Sequence, residues 1–473
     1  MPRGFARGGT LRRDLGFWGT ASLCVGGMAP TLAMSVTGVQ AARLLGRAAP
    51  LAYVLAGVGM VFIGYGFVRL SAAFSHAGSV YAFIGKTLGP HAGFFAGWAL
   101  IGTYIVFPPV SALGMAAFGQ AFARHAGISS SVDWFPLALV SWALVWLLAS
   151  RGIRLTAASV IGVEAVSLVL ITVLVGVIFV RLAFGDPPDM QTLNGRVFSV
   201  PDGTGLGTIA LAGTFGILSF GGFESAMSVG EESHRPRRMI PRSIVAAVLF
   251  GLVFYVVCIA AQTLGFGTDA AGAARFAHSS APLGDLARVY VGSAMAEVLD
   301  LAALLSALGA ALAGVAVASR TLFALGRDGV FGRRLADVSP GTGTPAVAVA
   351  ASMVLTLAQL VGLRAAGISA LSGFFYLATL GVLSLLVLYM LVSVSALRLV
   401  VARVRPASRL ELLLPCGGVA VAGYVLYRNL VPAPASPFDV FPYVVAGWLA
   451  AGLAIAFATP GLARRIADQL ARR

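Results

Sequence analysis

The stretch VGGMAP at residues 25–30 and the stretch SFGGFE at residues 219–224 decide the fold of this chain. Each places a glycine pair in the middle of a long apolar run, where glycine weakens an α-helix. Pro30 adds a helix breaker to the first stretch, because it lacks a backbone N–H and clashes with the preceding turn. Irregular backbone at membrane depth is tolerated only where it lines a cavity or is buried in protein. The two stretches therefore predict two interrupted helices that form a binding site, with close helix packing through small residues as the alternative.

The composition of the chain is that of a membrane protein. Of its 473 residues, 58% are hydrophobic and 11% are charged, and the mean hydropathy is +0.91. Soluble domains carry about 25% charged residues, so a soluble fold of this composition would lack the polar side chains to cover its surface. The same numbers exclude an intrinsically disordered chain, a collagen and a small disulfide-rich scaffold.

Apolar runs of about 20 residues are long enough to cross the hydrocarbon core as helices. We therefore predict an all-α polytopic membrane protein with about 12 transmembrane helices, forming one transmembrane domain over residues 1–473. The predicted spans are 14–40, 50–73, 92–123, 132–150, 155–184, 205–230, 241–265, 291–326, 345–362, 370–397, 411–431 and 438–459. Interruptions in the first and sixth spans are typical of a 5+5 inverted repeat. The repeats would cover residues 14–184 and 205–397, with two peripheral helices in 411–459.

The basic residues predict the orientation in the membrane. The net charge is +15, from 33 Lys and Arg against 18 Asp and Glu. Twelve spans place both termini on one side, and 24 of the 33 basic residues fall on that side. The positive-inside rule makes that side cytoplasmic. We therefore expect a multi-pass protein of the cytoplasmic membrane, with both termini inside. Short arginine clusters between the spans fit contact with membrane lipid rather than nucleic acid.

An ionisable side chain inside a membrane span is costly and marks a candidate functional site. Three acidic residues are clear cases, whereas Glu297 lies one turn before Asp300 and nearer the membrane boundary. Glu224 follows the second glycine pair, Glu164 lies in the fifth span and Asp300 lies in the eighth. Each is a candidate for ion coupling, whereas the alternative for Glu224 is to hydrogen-bond the ends of the broken helices. The five histidines lie in or beside predicted loops and the three cysteines have no Cys-x-x-Cys spacing. We therefore expect no metal site and no cofactor.

Four stretches, in this order, resemble one family of permeases. They are AGSVY at 77–81 with its continuation to Gly97 and Trp98, RGIR at 151–154, FE at 223–224 with EESHRPRRMIPR at 231–242, and SR at 319–320 through GRDG at 326–329 to TP at 344–345. The third is similar to the pattern GFE…EE-x-x-x-P-x-x-x-IPR of the amino acid–polyamine–organocation permeases. Over roughly residues 14–400, the resemblance implies the leucine-transporter-like fold, with ten core helices in two inverted halves.

The resemblance also implies a substrate site between broken helices one and six. In amino acid members, free amides of helix one receive the substrate carboxylate and carbonyls of helix six receive its ammonium group, as suits exposed helix ends. The implied substrate-binding residues are Gly26, Gly27, Met28 and Ala29 at the first break and Phe220, Gly221 and Gly222 at the second. This chain departs from the G-[SA]-G pattern of many members, because Met28 and Pro30 alter the amides at the first break.

The resemblance leaves the coupling ion open. Some proton-coupled members carry a lysine in span five, where this chain has Ser167. Sodium-coupled members use a Ser-Thr pair in helix eight, where this chain has Ser306 followed by Ala307. A sodium site would lack half of that hydroxyl pair, so H+ is the candidate coupling ion and Na+ is less supported.

The sequence favours a secondary active transporter, or permease, of amino acids or small organic amines that works by alternating access. Two alternatives stay open: a polyamine or organocation transporter or exchanger without ion coupling, and a transporter-like membrane sensor. We do not expect an enzyme, because the histidines are predicted near loops and no catalytic set of acids or His and Asp is evident at membrane depth. The sequence contains no Walker A pattern, so ATP does not drive the process directly.

The predicted topology can be tested with reporter fusions. A reporter fused after residue 200 should give an external signal, and one fused to the C-terminus should give a cytoplasmic signal, because twelve spans alternate sides from a cytoplasmic N-terminus. The measurement is the activity of paired reporters that work on only one side of the membrane. Any other pairing of signals would contradict the inverted-repeat prediction.

Overall fold

The structure, a computed structural model, describes residues 16–73, 80–128, 132–151, 154–184, 192–201, 203–229, 235–327, 331–339, 344–402, 408–459, 461 and 466–467. Within these ranges every regular element is a helix, which confirms the predicted all-α class. The α-helices are α1 (Phe17–Met28), α2 (Pro30–Val36), α3 (Gly38–Leu45), α4 (Ala49–Ala73), α5 (Val80–Leu88), α6 (Pro90–Tyr104), α7 (Phe107–His125), α8 (Trp134–Arg151), α9 (Arg154–Phe184), α10 (Leu206–Phe220), α11 (Pro236–Phe266), α12 (Ala270–His278), α13 (Pro282–Tyr290), α14 (Ser293–Arg327), α15 (Ala346–Ala365), α16 (Ala370–Val401), α17 (Leu413–Arg428) and α18 (Phe441–Ala458). Short 3₁₀ segments span Gly46–Ala48, Gly195–Phe198, Phe223–Val229, Arg333–Ala336 and Arg409–Leu412. Residues 231–234 of the permease-like pattern lie outside the described residues.

Ten helical stretches of the described chain are long and apolar enough to cross a membrane. They are Phe17–Val36, Gly38–Ala73, Pro90–His125, Gly162–Phe184, Leu206–Ser225, Pro236–Phe266, Ser293–Arg327, Ala346–Ala365, Ala370–Val401 and Phe441–Ala458. Two shorter apolar helices, α8 and α17, fall in the predicted spans 132–150 and 411–431. The protein is therefore a multi-pass membrane protein, while the count of twelve spans stays a prediction.

The first predicted span, 14–40, is divided into α1, α2 and the start of α3. The main break lies at Ala29, one residue beyond Met28, so the glycine pair itself remains in the last turns of α1. Ala29 has φ 45° and is the only non-glycine residue with a positive φ in the described chain. Such backbone costs an L-residue about 1–3 kcal/mol and persists only where the surroundings hold it. Pro30 then opens α2 at the position where its missing N–H is not needed.

The sixth predicted span breaks at its glycine pair. Helix α10 ends at Phe220, and Gly221 and Gly222 form a turn before the 3₁₀ segment Phe223–Val229. Gly222 has φ +106°, a conformation that residues with a side chain rarely adopt. The interruption predicted from SFGGFE is therefore present.

Two features of the fold were not predicted. The third span, 92–123, is divided where α6 ends at Tyr104 and α7 begins at Phe107, next to Pro108 and Pro109. Prolines fit the first turn of a helix, which explains why α7 restarts there. The stretch between the seventh and eighth spans contains two short helices, α12 and α13, rather than a simple connector.

Helix packing buries the two breaks at the centre of the protein. Helix α4 packs against α10 and α11, α7 packs against α14, and α16 packs against α4, α6 and α7. The long helix α9 contacts α14 on one side, whereas its outer side exposes an apolar stripe. The stripe consists of Val166, Val169, Val173, Val180 and Phe184. Exposed apolar side chains at helical spacing suit contact with lipid.

Candidate functional site

The two broken helices touch through their backbones. A Cβ atom on Gly27 would lie 2.5 Å from the carbonyl oxygen of Gly222, and a Cβ atom on Gly222 would overlap the carbonyl oxygen of Gly27. Only glycine lets two backbones approach this closely. The direct contact between the two breaks therefore requires glycine at both positions for a steric reason.

The N-terminus of α2 is capped by side chains from distant helices. Pro30 has no backbone N–H, and the next two amides find their acceptors outside α2. The Thr31 amide donates to Oε1 of Glu164, on α9, at 2.8 Å, and the Leu32 amide donates to Oγ of Ser306, on α14, at 3.2 Å. The first amides of a helix need such partners, and a carboxyl group there is favoured by the helix dipole. Glu164 and Ser306, both buried, thus hold α2 at the break.

Glu224 caps the second break in a similar way. Its Oε2 accepts a hydrogen bond from the Gly222 amide at 3.1 Å and one from the Tyr389 hydroxyl at 3.4 Å, and its Oε1 accepts one from the Tyr104 hydroxyl at 2.8 Å. The side chain is only 5% exposed. A buried carboxyl group requires such partners. Glu224 therefore links α6 and α16 to the break, which is the geometry expected for a residue that holds the broken helix in place.

A cavity of about 80 Å³ lies between the breaks. Five of the seven residues predicted for substrate binding line it, namely Gly27, Met28, Ala29, Gly221 and Gly222. The other two do not line it. The Gly26 carbonyl accepts the Ala29 amide at 3.2 Å, and the Phe220 ring packs edge-on against Tyr255 at 5.0 Å between centroids. Sequence reasoning missed Tyr104 and Ser111, which reach the cavity from α6 and α7 and carry no local motif.

The remaining coupling candidates lie in different surroundings. Ser306 lies beside Glu164 at the start of α2, as described above. The Ser167 hydroxyl is buried and donates to the Val163 carbonyl within its own helix at 2.7 Å. Among the described residues, no group of three or more His, Cys, Asp or Glu side chains could hold a metal ion.

Asp300 is separate from the cavity and pairs with a histidine that the sequence placed near a loop. His125 is the last residue of α7, and its side chain is buried. Its Nδ1 lies 2.5 Å from Oδ2 of Asp300, and its Nε2 lies 3.2 Å from Oδ1 of Asp285. The Ser279 hydroxyl donates to Oδ2 of Asp285 at 2.5 Å. The partners are more than 100 residues apart in sequence, so no local spacing could reveal them.

The contact between the breaks predicts unequal effects of two alanine substitutions. In Gly222→Ala the new methyl group would overlap the Gly27 carbonyl. The alanine would also have to adopt φ +106°, which costs about 1–3 kcal/mol in backbone strain alone. Gly221→Ala is the matched control, because φ is −54° there and the nearest atom would be the Leu218 carbonyl oxygen at 3.1 Å. Gly222→Ala should lower the melting temperature of the purified protein well below that of Gly221→Ala. Equal melting temperatures would contradict the contact.

Comparison with known proteins places these features in a family. A family model described as "Amino acid permease" matches residues 19–421. The branched-chain amino acid permease BcaP of Bacillus subtilis (strain 168) is 24% identical over 72% of this chain and 72% of its own length. The low-affinity putrescine importer PlaP of Escherichia coli (strain K12) is 25% identical over 63% of this chain and 64% of its own length. An uncharacterized transporter of Mycobacterium tuberculosis is 29% identical over 91% of this chain and 90% of its own length. Since the family match covers most of the chain, the protein belongs to the amino acid permease family, within the amino acid–polyamine–organocation superfamily.

Proposed function

We propose that the protein is a secondary active transporter that carries amino acids or small organic amines across the cytoplasmic membrane by alternating access. The observation that carries this proposal is the cavity between two helix breaks in a multi-pass membrane protein. Broken helices that meet at mid-membrane are a recurrent way to build a substrate site in transporters. The similarity to permeases for a branched-chain amino acid and for putrescine supports the substrate classes.

Hydrogen bonds join the half-helices of the two broken spans in pairs, and each pair can move as a unit. The Ser225 hydroxyl, beyond the second break, donates to the Leu23 carbonyl of α1 at 2.9 Å. On the other side of the breaks, the Thr37 hydroxyl lies 3.0 Å from the Ser219 hydroxyl of α10 and 2.6 Å from the hydroxyl of Tyr53. In the proposed mechanism the two inner half-helices, α1 and the segment Phe223–Val229, tilt together. The two outer half-helices, α2 and α10, tilt together as a second unit. The contact between Gly27 and Gly222 is the pivot, because it joins both pairs.

The proposed topology has twelve spans in a 5+5 inverted repeat, with repeats at 14–184 and 205–397 and peripheral helices in 411–459. It is supported by the excess of basic residues on the side of the two termini and by the breaks in the first and sixth spans. With both termini cytoplasmic, α1 and the segment Phe223–Val229 face the inside of the cell. Helices α2 and α10 then face the outside, as alternating access requires.

Glu224 is the proposed site of proton coupling. Its carboxyl group is one hydrogen bond away from the cavity, because Tyr104 lines the cavity and donates to Glu224. The same carboxyl group accepts the Gly222 amide, so a proton that arrives there competes with the hydrogen bond that holds the break. Proton binding and helix movement are thereby linked. Sodium is less supported, because Ala307 leaves only the Ser306 hydroxyl of the pair, and that hydroxyl also accepts the Leu32 amide.

Two other coupling modes make different demands on Glu224. An exchanger without ion coupling, or a membrane sensor, needs Glu224 only as a structural acceptor for Gly222, Tyr104 and Tyr389. A proton-coupled transporter needs the carboxyl group to gain and lose a proton. Glu224→Gln separates these cases, since the amide keeps the size and an acceptor oxygen but does not titrate.

We predict that Glu224→Gln, reconstituted into liposomes, keeps exchange of internal for external substrate and loses accumulation driven by a pH gradient. The residual accumulation should fall to the level of liposomes without a gradient, because no proton is coupled to movement. Tyr389→Phe serves as the control, because it removes the longest of the three hydrogen bonds to Glu224 and leaves the carboxyl group able to titrate. Wild-type accumulation by Glu224→Gln would contradict coupling through this residue and leave it structural.

A further inference from the structure

The backbone donors at the first break are already used within the protein. A substrate carboxylate in a poorly hydrated cavity needs N–H donors or a cation, because a buried charge without a partner is costly. At the start of α2, Pro30 contributes no donor, the Thr31 amide is taken by Glu164 and the Leu32 amide is taken by Ser306. The Ala29 amide, which precedes them, donates to the Gly26 carbonyl.

The residues of the second break that line the cavity are Gly221, Gly222 and Ser225, and they offer no amide donor to replace them. Three of its amides donate within the break itself: the Gly221 amide to the Leu218 carbonyl at 3.0 Å, the Gly222 amide to Glu224 at 3.1 Å, and the Ser225 amide to the Gly222 carbonyl at 2.9 Å. At both breaks, the amides named here therefore donate to groups of the protein itself.

Side chains do not supply the missing donors either. Among the described residues that line the cavity there is no Arg, Lys or His. Most of the lining hydroxyl groups donate to the protein. Thr37 and Ser219 donate to backbone carbonyls of their own helices at 2.8 and 3.0 Å, Ser225 donates to a carbonyl of α1, and Tyr104 donates to Glu224. Only Ser111, of the lining hydroxyls, has no acceptor within the described part of the chain, and one hydroxyl is too little for a carboxylate.

We infer that Glu164 fills the place that a substrate carboxylate would take at the first break, so that the substrate is an organic amine without a carboxyl group rather than an α-amino acid. This inference rests on the proposed transport function and names the substrate class of the same cavity. Glu164 is thus a specificity-determining residue that acts by occupying the Thr31 amide. An ammonium group suits the rest of the site. The Glu224 carboxyl group accepts a hydrogen bond from Tyr104, which lines the cavity, and no described lining residue has a positive side chain.

The walls of the cavity fit the remaining part of such a substrate. Leu32, Phe107, Val110 and Phe374 contribute apolar side chains to the lining. An alkyl chain gains from contact with these side chains, whereas a carboxylate would lose its hydration without finding a donor. A small amine with an apolar chain therefore matches both the polar and the apolar parts of the wall.

The test compares each amine with the amino acid from which it differs only by a carboxyl group. The probes are cadaverine with lysine and 3-methylbutylamine with leucine, and the dissociation constants come from the rise in melting temperature of the purified protein with ligand concentration. The wild-type protein should bind the amine of at least one pair tenfold or more tightly than its amino acid, and should prefer the amino acid in neither pair. A preference for the amine below tenfold in both pairs, or a preference for the amino acid in either pair, would overturn the inference and leave the transport proposal intact.

Two variants at Glu164 test the residue itself. Glu164→Ala frees the Thr31 amide and should reduce the preference for the amine at least tenfold, mainly by allowing the amino acid to bind. Glu164→Gln is the matched control, because its amide oxygen can still accept from Thr31, and it should keep the discrimination. If Glu164→Ala binds the amine and still excludes the amino acid as strongly as the wild type, Glu164 is not the cause. A Glu164→Ala protein that fails to fold leaves the wild-type comparison to decide. Binding of neither class would instead contradict the transport proposal, and the inference with it.

Discussion

The structure depends on one backbone contact, in which Gly27 and Gly222 meet between two broken helices. The contact requires glycine on both sides, because a Cβ atom on either residue would collide with the carbonyl of the other. Breaking two helices at mid-membrane leaves amides that no lipid can satisfy. The nearby carboxyl groups of Glu164 and Glu224 provide acceptors for two of these amides. These acceptors stabilise the non-helical backbone at both breaks, and the cavity lies between them.

Each of the two acids accepts a backbone amide at one break, but their surroundings differ. Glu164 contacts the start of α2 and the Ser306 hydroxyl, and it does not line the cavity. Glu224 contacts Tyr104, which does line the cavity. In our account Glu164 is therefore a permanent internal ligand that limits which substrates fit. In the same account Glu224 is the group that responds to a substrate or a proton. The described residues that line the cavity include no positive side chain, and two acids accept amides of the breaks beside it. Such surroundings favour a cationic substrate.

Much of the fold could be predicted because its signals are local. Apolar runs indicate spans, and the glycine pairs with Pro30 indicate breaks, since glycine and proline act on the backbone where they stand. The site was predicted less completely. Glu164 and Thr31 are 133 residues apart, and His125 and Asp300 are 175 residues apart, so only the folded structure brings them together. The break at Ala29 rather than at the glycine pair also depends on tertiary contacts, because an alanine adopts φ 45° only where its neighbours impose it.

The central claim is that the substrate binds between the two breaks, and an electron cryo-microscopy map of the protein with bound amine tests it most directly. The sample would contain whichever of cadaverine or 3-methylbutylamine gives the larger rise in melting temperature, compared with a sample without amine. The account predicts added density bounded by Met28, Ala29 and Gly221, with the Glu164 carboxyl still on the Thr31 amide. Added density elsewhere, with the space between the breaks unchanged, would contradict the account.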